Sequence, residues 1–366
     1  MNSKEQLEQK DLFLPFETGP LKFKNRIIMA PLTRSRADED GNPTPMMKEY
    51  YSQRAGAGMI ISEATNISKE AVGYMKTPGI WSEEQILGWK IITDEVHQKG
   101  GTIFCQLWHC GRISHSDLQP DGDAPVSASE IGADADVFTS DGMKKSSTPR
   151  ALKTEEIPRL ISDYVHAATC AKKAGFDGVE VHSANGYLLH QFISDSSNKR
   201  EDQYGGSIEN RCRLTLEVIK AVTKVWGEER VAVRFGPVSP FNGVETSEPQ
   251  KTYEYMLDTL NELSLAYVHV IEGKTGGDRD YGDFDYKKFR DHYKGTYMAN
   301  NNYDLDLALK KRENNTADLI CFGRPFIANP DLVERYKKGA DLNEIDSDTL
   351  YQGGKKGYTD YPFLGE

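Results

Sequence analysis

Gly178-Val-Glu-Val-His-Ser-Ala-Asn-Gly-Tyr-Leu-Leu-His-Gln-Phe192 shows the unit from which this chain is built. It opens with an apolar, β-branched run that is typical of a buried parallel strand. Asn185-Gly186 then predicts a turn, and the apolar residues after Tyr187 predict a helix. The histidine, asparagine and tyrosine at this turn leave three interpretations open: a metal site, a proton relay or an ordinary strand-to-helix turn.

The same unit recurs along the chain. Eight short β-branched runs alternate with longer amphipathic stretches, which predicts strand-helix units around a parallel sheet. Eight units fit a single (β/α)8 TIM barrel of the α/β class, whereas a doubly wound sheet usually has fewer strands and a G-x-G-x-x-G loop that the first strand lacks here. The predicted strands are 26–30, 59–63, 102–107, 178–182, 231–235, 267–271, 296–299 and 319–322; the predicted helices are 83–99, 154–174, 208–225, 249–263, 305–311 and 331–338, with helix stops at Gly100-Gly101, Gly175 and Gly227.

Two segments depart from this regular pattern. Residues 114–150, rich in Asp, Gly, Ser and Pro, are too long for an ordinary β/α loop and predict a long excursion after strand 3 that acts as a lid over one barrel end. Residues 272–293, dense in Gly, Asp and Tyr, predict a mobile loop near the mouth. No repeat or linker interrupts the pattern, so residues 1–366 are predicted to form one domain.

Composition narrows the class of protein. Hydrophobic residues make up 38% and charged residues 28%, which is ordinary for a globular protein, and the net charge of −11 disfavours a general grip on nucleic acid or anionic lipid. The polar start at residues 1–10 lacks a signal-peptide core, and no run is long enough for a membrane span, so we expect a cytoplasmic protein. The five cysteines form no Cys-x-x-Cys pair and predict neither a zinc site nor an iron-sulfur cluster.

Polar side chains recur at the carboxyl ends of the predicted strands, where barrel enzymes carry their active sites. His109, His115, His182 and His190 raise the alternative of a metal, but the neighbouring Thr, Gln, Asn, Arg and Tyr side chains are poor zinc ligands. A planar, anionic cofactor fits better. Thr33 and Gln106 suit ring carbonyls and nitrogens, Arg234 a negatively charged reduced ring, and Gly323-Arg324 a phosphate, which are the needs of flavin mononucleotide (FMN).

Several ordered motifs resemble the Old Yellow Enzyme family of FMN-dependent ene-reductases. Any one of them is weak evidence, but the ordered set is specific, and the ending at 357–364 is most similar to the branch of 12-oxophytodienoate reductases and their protist relatives. The motifs are Ala30-Pro-Leu-Thr-Arg-Ser-Arg36, Pro78-Gly-Ile-Trp81, Gln106-Leu-Trp-His-Cys-Gly-Arg112, His182-Ser-Ala-Asn-Gly-Tyr187, Asp202-Gln-Tyr-Gly-Gly-Ser-Ile-Glu-Asn-Arg211, Arg234 and Phe322-Gly-Arg-Pro-Phe-Ile-Ala-Asn-Pro-Asp-Leu332.

The resemblance implies a set of catalytic roles. His182 and Asn185 are expected to hydrogen-bond the substrate's carbonyl or nitro oxygen, which acts as an oxyanion hole while flavin N5 delivers hydride to the β-carbon. Tyr187 is expected to give a proton to the α-carbon from the opposite face. NADPH is the expected reductant, and it uses the same flavin face in a ping-pong cycle. His190 and Gln191 are expected to be structural support.

The resemblance also implies a cofactor and substrate site. Family enzymes place two glycines after strand 7 near the phosphate, but this chain reads Ala299-Asn-Asn-Asn-Tyr303, which puts the strength of FMN retention in question; asparagine nonetheless tolerates left-handed backbone. The expected FMN contacts are Pro31, Leu32, Thr33, Ala64, Gln106, His182, Arg234, Asn301, Asn302, Gly323 and Arg324, and the expected substrate-lining residues are Tyr74, Trp108 and Tyr351.

The hypothesis is therefore an NADPH-dependent, FMN-containing ene-reductase that acts on α,β-unsaturated carbonyls; quinones, nitro compounds and prostaglandin endoperoxides are further family substrates. Two alternatives stay open: a metal-dependent barrel hydrolase that uses His109, His182 and His190, and a flavin-binding regulator with little turnover. No metal, nucleic acid or membrane partner is expected. The sequence leaves undecided the physiological substrate, the stereochemical preference, and whether the protein is a monomer or a homodimer.

Overall fold

A computed structural model describes Leu7 and residues 10–366, and its centre is a closed barrel of eight parallel strands. Residues 1–6, 8 and 9 lie outside the described residues. The prediction that residues 1–10 carry no signal peptide falls mostly on them. We number the barrel strands β1 (Ile27–Met29), β2 (Met59–Ile61), β3 (Ile103–Trp108), β4 (Gly178–Ser183), β5 (Val231–Phe235), β6 (Tyr267–Ile271), β7 (Tyr297–Asn300) and β8 (Leu319–Phe322).

Hydrogen-bonded pairing closes the barrel. Each strand pairs in parallel with the next along the chain, and β8 returns to β1 with Cys321 opposite Ile28. Closure leaves no unpaired sheet edge in this set of strands. The predicted (β/α)8 TIM barrel is confirmed, and each of the eight predicted strands overlaps an observed one.

The barrel interior changes from apolar to polar along its axis. Near the amino ends of the strands, inward side chains form one apolar cluster with Leu21 and Phe23, which belong to a hairpin of strands Phe16–Thr18 and Leu21–Phe23. Near the carboxyl ends the inward side chains are polar and charged. The inward apolar residues are Ile28, Met59, Ile61, Phe104, Ala232, Tyr267, Met298, Leu319 and Cys321, and the inward polar residues are Gln106, Glu180, His182, Arg234, His269 and Asn300.

Helices cover the outside of the barrel. They are α1 (Pro45–Gln53), α2 (Glu83–Gln98), α3 (Ile157–Lys173), α4 (Ile208–Trp226), α5 (Pro249–Leu260), α6 (Tyr286–His292), α7 (Leu305–Glu313) and α8 (Leu332–Lys338). Two shorter helices, Leu188–Ile193 and Arg324–Ala328, follow β4 and β8, and the first is the helix predicted after Tyr187. The predicted helix stops at Gly100, Gly175 and Gly227 are confirmed, since each of these glycines has a positive φ between 68° and 83°. None of the helices in the described part of the chain is long and apolar enough to cross a membrane.

The long excursion lies between β3 and α3, as expected. It contains an antiparallel hairpin of strands Asp136–Thr139 and Gly142–Lys145, and its short strands Val126–Ser127 and Arg150–Ala151 pair in parallel. Ala135 and Val137 pack with Tyr74 and Tyr187 at the barrel mouth. The excursion therefore forms a side wall of the mouth.

The prediction that 272–293 is a loop throughout is wrong for its second half. Residues Tyr286–His292 form α6, which Asp285 caps by accepting a hydrogen bond from the backbone N–H of Lys288 at 2.8 Å. The first half is irregular but anchored, because the buried Glu272 pairs with Arg279 and with Lys311.

Candidate active site

A polar network fills the carboxyl-end layer of the barrel interior. Glu180 on β4 accepts a hydrogen bond from Gln106 Nε2 at 2.7 Å with one carboxylate oxygen and contacts His269 Nδ1 at 2.9 Å with the other. All three side chains are buried. Because Gln106 donates to Glu180, its own carbonyl oxygen remains available as an acceptor at the mouth.

The charges in this layer are balanced. Burial opposes the charged form of Glu180, but His269, Arg234 and Gln106 outweigh it and hold the pKa of Glu180 below its usual value. Burial lowers the pKa of His269, against the raising effect of Glu180. We therefore assign an ionised Glu180, a neutral His269 that donates through Nδ1, and a cationic Arg234.

Arg234 on β5 has unused hydrogen-bonding capacity. Its Nη2 donates to Asn300 Oδ1 at 3.0 Å, while its Nε is buried without a hydrogen-bond partner among the described residues. A buried guanidinium nitrogen without an acceptor is costly. An electron-rich group bound at the mouth would satisfy it.

His182, the last inward residue of β4, is a neutral hydrogen-bond donor. Burial is the main cause that lowers the pKa of His182 well below its usual value, and the nearby Arg234 adds to it. Its Nδ1 accepts the backbone N–H of Ala184 at 3.3 Å. A neutral imidazole whose Nδ1 accepts must carry its proton on Nε2, so Nε2–H is the atom that His182 can offer to a ligand.

Asn185 stands on the turn directly after β4. Its φ of +55° is left-handed, which asparagine adopts more readily than most residues and which turns its side chain away from the strand direction. Its backbone carbonyl accepts from Asn242 Nδ2 at 2.9 Å, and its side-chain Oδ1 accepts from the Thr275 hydroxyl at 2.8 Å. Two loops from neighbouring strands thus hold this one asparagine.

Tyr187 lies in an aromatic corner of the mouth. Its ring meets Trp108 edge-on at 4.9 Å between centroids and His182 at 5.2 Å, and its hydroxyl is 3.5 Å from that of Tyr74. Burial, with Tyr74 and Cys110 nearby, raises the pKa of Tyr187 well above its usual value. Tyr187 is therefore protonated at neutral pH and able to act as an acid.

The residues expected to give structural support do so. His190 Nδ1 accepts the backbone N–H of Gly186 at 3.1 Å. Gln191 donates to the carbonyls of Cys110 and Gly186 and accepts from the backbone N–H of Arg112. These bonds tie the turn after β4 to the start of the excursion after β3.

The loops after β1 and β2 meet through Glu63. Its carboxylate accepts from the backbone N–H of Arg34 at 3.3 Å and from the Tyr51 hydroxyl at 3.1 Å. This contact places the partly exposed segment of Pro31, Leu32 and Thr33 beside the buried Ala64. Burial raises the pKa of Glu63 to about 7, although both hydrogen bonds act to lower it.

The loops after β7 and β8 form a second subsite. Asn301 and Asn302 have φ values of +113° and +47°, so the asparagines that replace the expected glycine pair do adopt left-handed backbone. A Cβ on Gly323 would lie 3.5 Å from Leu32, which shows how closely the loop after β8 approaches the loop after β1. The Arg324 guanidinium is exposed, and its Nη2 makes a long 3.5 Å bond to the carbonyl of Gly276.

Three sequence-predicted residues lie apart from this cluster. Tyr351 is 64% exposed in the C-terminal segment, although it is near enough to contribute, after burial, to the raised pKa of Tyr74. His109 faces Glu70 at 3.6 Å and accepts the N–H of Gly111, while His115 caps a turn at Asp117. In the part of the chain that the structure describes, no three His, Cys, Asp or Glu residues are grouped as a metal ion would require.

Sequence reasoning missed Glu180, His269, Asn242 and Thr275. Glu180 and His269 were hidden inside predicted strands, although a charged or titratable residue at an inward position of a buried strand is itself a signal. Asn242 and Thr275 lie in loops whose positions depend on the folded barrel.

The order of these elements agrees with comparisons with known proteins. Residues 11–343 match the model of the NADH:flavin oxidoreductase / NADH oxidase family. The chain belongs to this family. Among curated members, 12-oxophytodienoate reductase 1 of Oryza sativa subsp. japonica is 44% identical over 362 residues, covering 97% of this chain and 93% of the relative. Putative 12-oxophytodienoate reductase 11 of the same plant is 42% identical, covering 96% and 97%.

Solved structures of family members have the same fold. Morphinone reductase in complex with tetrahydroNAD is 49% identical with a TM-score of 0.91, covering 96% of this chain and 97% of that one. The Old Yellow Enzyme homologue from Zymomonas mobilis is 44% identical with a TM-score of 0.92, covering 97% and 100%. The resemblance drawn from the motifs is confirmed, and the protein is an FMN-dependent oxidoreductase of the Old Yellow Enzyme type.

The site suits the flavin that the family binds. Gln106 has a free acceptor, Arg234 has a buried nitrogen without a partner among the described residues, and Arg324 is exposed directly after β8. FMN needs an acceptor and a cation beside its ring and a cation beside its phosphate, and these three residues supply them.

Proposed function

We propose that this protein is a nicotinamide-dependent ene-reductase that reduces the C=C bond of α,β-unsaturated carbonyl compounds, with NADPH as its reductant. The observation that carries the proposal is the turn after β4, which presents a neutral Nε2-donating His182, a left-handed Asn185 and a protonated Tyr187 around one mouth. In this proposal the whole chain acts as one FMN-binding barrel.

FMN would be held by the polar layer at the carboxyl ends of the strands and by the loops after β7 and β8. Thr33, Ala64, Gln106 and Arg234 would contact the ring, with Pro31, Leu32 and His182 beside it, and the loops after β7 and β8 would hold the phosphate through Asn301, Asn302, Gly323 and Arg324. When bound, FMN supplies the hydride that it takes from the reduced nicotinamide.

His182 and Asn185 would bind the substrate's carbonyl oxygen. Charge grows on that oxygen as hydride reaches the β-carbon, so two neutral donors fixed beforehand stabilise the transition state more than the ground state. A neutral His182 suits this role because it can donate without first losing or gaining a proton. Tyr74 and Trp108 would line the substrate cavity, and Tyr351 would lie at its outer rim.

Tyr187 would complete the addition. The enolate that forms when hydride adds is protonated at its α-carbon by the Tyr187 hydroxyl, which leaves the saturated carbonyl product and a tyrosinate that solvent reprotonates. Its packing against Trp108 and His182 holds the hydroxyl in place for this transfer.

The proposal is tested on protein reconstituted with FMN. Under anaerobic conditions NADPH should bleach the flavin absorbance, and 2-cyclohexenone should restore it with formation of cyclohexanone. Absence of flavin absorbance after reconstitution, or a reduced flavin that cyclohexenone does not reoxidise, would refute the function.

The choice of reductant needs its own measurement. The rate of flavin reduction should be compared for NADPH and NADH at equal concentrations. A higher kcat/KM for NADPH supports the proposal. A higher value for NADH would show that the reductant is NADH, the nucleotide in the name of the family.

A further inference from the structure

Asn185 can serve as a donor only if its amide has one of two nearly isosteric orientations. With Nδ2 toward the substrate it donates to the carbonyl oxygen, whereas with Oδ1 toward the substrate two acceptors face each other. The left-handed backbone fixes where the side chain starts but not which end of the amide faces the mouth. Another group must select the orientation.

A chain of hydrogen bonds with a defined direction reaches this amide. The backbone N–H of Thr275 donates to Ser239 Oγ at 3.1 Å, the Ser239 and Thr275 hydroxyls are 2.7 Å apart, and the Thr275 hydroxyl donates to Asn185 Oδ1 at 2.8 Å. Among the described residues, Thr275 Oγ1 is the one acceptor within hydrogen-bond distance of the buried Ser239 hydroxyl, so the Ser239 hydrogen points to it. The hydrogen of Thr275 is then directed to Asn185 Oδ1, which leaves Nδ2 for the substrate.

The loop that carries Thr275 is fixed on both sides. We call residues 273–277 the β6 loop. The backbone N–H of Gly276 donates to Asn301 Oδ1 at 3.0 Å, and Asn301 Nδ2 donates to the carbonyls of Glu272 and Lys274 at 2.7 and 2.9 Å. Asn301 belongs to the proposed phosphate subsite, so the β6 loop connects that subsite to Asn185.

We infer that Thr275 is a positioning residue for the proposed reaction, because its hydroxyl, oriented by Ser239, holds the amide of Asn185 with Nδ2 toward the substrate oxygen. This inference rests on the proposed function. The loop after β6 would thus affect substrate binding indirectly, because Thr275 contacts Asn185 and Ser239 rather than the substrate.

The test uses two variants of the FMN-reconstituted protein that differ by one hydroxyl. Thr275→Val keeps the shape of the side chain and removes the donor, whereas Thr275→Ser keeps the donor. The probe is phenol, whose anion mimics the enolate and gives a long-wavelength absorbance band with oxidised flavin. Thr275→Val should weaken phenol binding about 3- to 10-fold, the scale of one hydrogen bond, and Thr275→Ser by less than about 2-fold.

Two further measurements separate positioning from general damage. The FMN dissociation constant and the melting temperature of Thr275→Val should match those of the wild type. In an Asn185→Ala background, Thr275→Val should not weaken phenol binding any further, because its effect passes through the missing amide. A further loss in that background, or an equal loss in Thr275→Ser, would overturn the inference.

Failure of the proposed function gives a different result. If wild-type protein bound no FMN, or bound FMN and reduced no enone, the function itself would be wrong. If the wild type reduced cyclohexenone and bound phenol, but Thr275→Val bound phenol as tightly as the wild type, only the role of Thr275 would be refuted.

Discussion

At the scale of single residues, burial has opposite effects on the pKa values of the proposed donor His182 and the proposed acid Tyr187. His182 is neutral because burial lowers its pKa, and Tyr187 stays protonated because burial raises its pKa. Both groups are uncharged at neutral pH, as these directions require. The two roles therefore do not depend on a narrow range of pH.

Removing the Tyr187 hydroxyl should separate the two half-reactions. Tyr187→Phe keeps the ring that packs on Trp108, so flavin reduction by NADPH should persist while turnover of cyclohexenone falls by roughly 10²- to 10⁴-fold, the range for loss of a general acid. Stopped-flow absorbance measures both half-reactions. Turnover equal to that of the wild type would remove Tyr187 as the principal proton donor.

His182→Ala should affect binding of the substrate oxygen. Loss of one preorganised donor costs roughly 10²- to 10³-fold in kcat at comparable sites, and phenol affinity should fall as well. His166→Ala is a suitable control, because His166 contacts the carbonyl of Trp81 from the outer helix α3. Phenol titration of both variants decides: an unchanged absorbance band in His182→Ala would contradict its role.

The kcat/KM for a neutral enone should show no titration of His182 between pH 6 and pH 8. A histidine with its usual pKa would become protonated as the pH falls through this range. Burial holds the pKa of His182 in the folded protein well below the usual value of 6.5. The measurement is kcat/KM for cyclohexenone across that range. A break near pH 6.5 that disappears in His182→Ala would show that His182 titrates and that its assigned neutral state is wrong.

The residues of the central turn could be predicted because they lie within one short motif. Their partners could not be predicted, because Asn242 and Thr275 reach Asn185 from 57 and 90 positions away in the chain. A hydrogen bond between two loops leaves no local pattern in a sequence. That these loop residues are polar does not show which residue they contact.

At the scale of elements, three short helices in the described part of the chain were not predicted: α1, α6 and Arg324–Ala328. Helix α1 has nine residues with buried Met47, Tyr50 and Tyr51, and α6 has seven residues of which only Phe289 is buried. Fewer than three turns leave few apolar repeats by which to distinguish a helix from a loop, although α7 and α8, with nine and seven residues, were predicted. The long helices α2 to α5 were predicted because their repeats extend over several turns.

The turn after β7 offers a matched pair of variants. Asn301→Gly removes a buried side chain that makes three hydrogen bonds, two to the β6 loop and one to Glu272. Asn302→Gly removes an exposed side chain that makes a single bond to the carbonyl of Gly277. Both replacements suit the left-handed backbone. We expect the FMN dissociation constant to rise about 3- to 10-fold for Asn301→Gly and to change less than about 2-fold for Asn302→Gly.

Fluorescence titration of the apoprotein with FMN measures these constants. Equal effects of the two replacements would show that the β6 loop does not contribute to holding the phosphate subsite. A tighter constant for both would show instead that backbone strain at the asparagines limits FMN affinity.

At the scale of the whole molecule, barrel closure was predicted from the number of β/α units. What could not be predicted is the polar layer inside the barrel, because Glu180 and His269 meet across the interior from 89 positions apart. Their pairing requires the closed barrel, and neither residue marks its partner in the sequence. The same holds for Glu63, whose partners come from the neighbouring β1 loop and helix α1.

Glu63 should make the stability of the molecule depend on pH. Its pKa is about 7 in the folded protein, mainly because of burial, and an unfolded glutamate titrates near 4.5. The folded state therefore binds the proton more tightly, so this contribution to stability is complete below pH 4.5 and is lost as pH rises through 7. A shift of this size corresponds to about 3 kcal/mol.

Glu63→Gln isolates the effect, since glutamine remains neutral. The free energy of unfolding of the wild type, minus that of the variant, should fall by about 3 kcal/mol between pH 4.5 and pH 8. Denaturant titrations at several pH values give this difference. A difference that is constant with pH would mean that Glu63 is ionised in the folded protein throughout.

The hairpin of Phe16–Thr18 and Leu21–Phe23 limits the routes by which a cofactor could reach the barrel interior. Leu21 and Phe23 pack into the apolar end of the interior, so FMN can enter and leave only across the opposite face. Cofactor and substrate would therefore pass through the same face of the barrel.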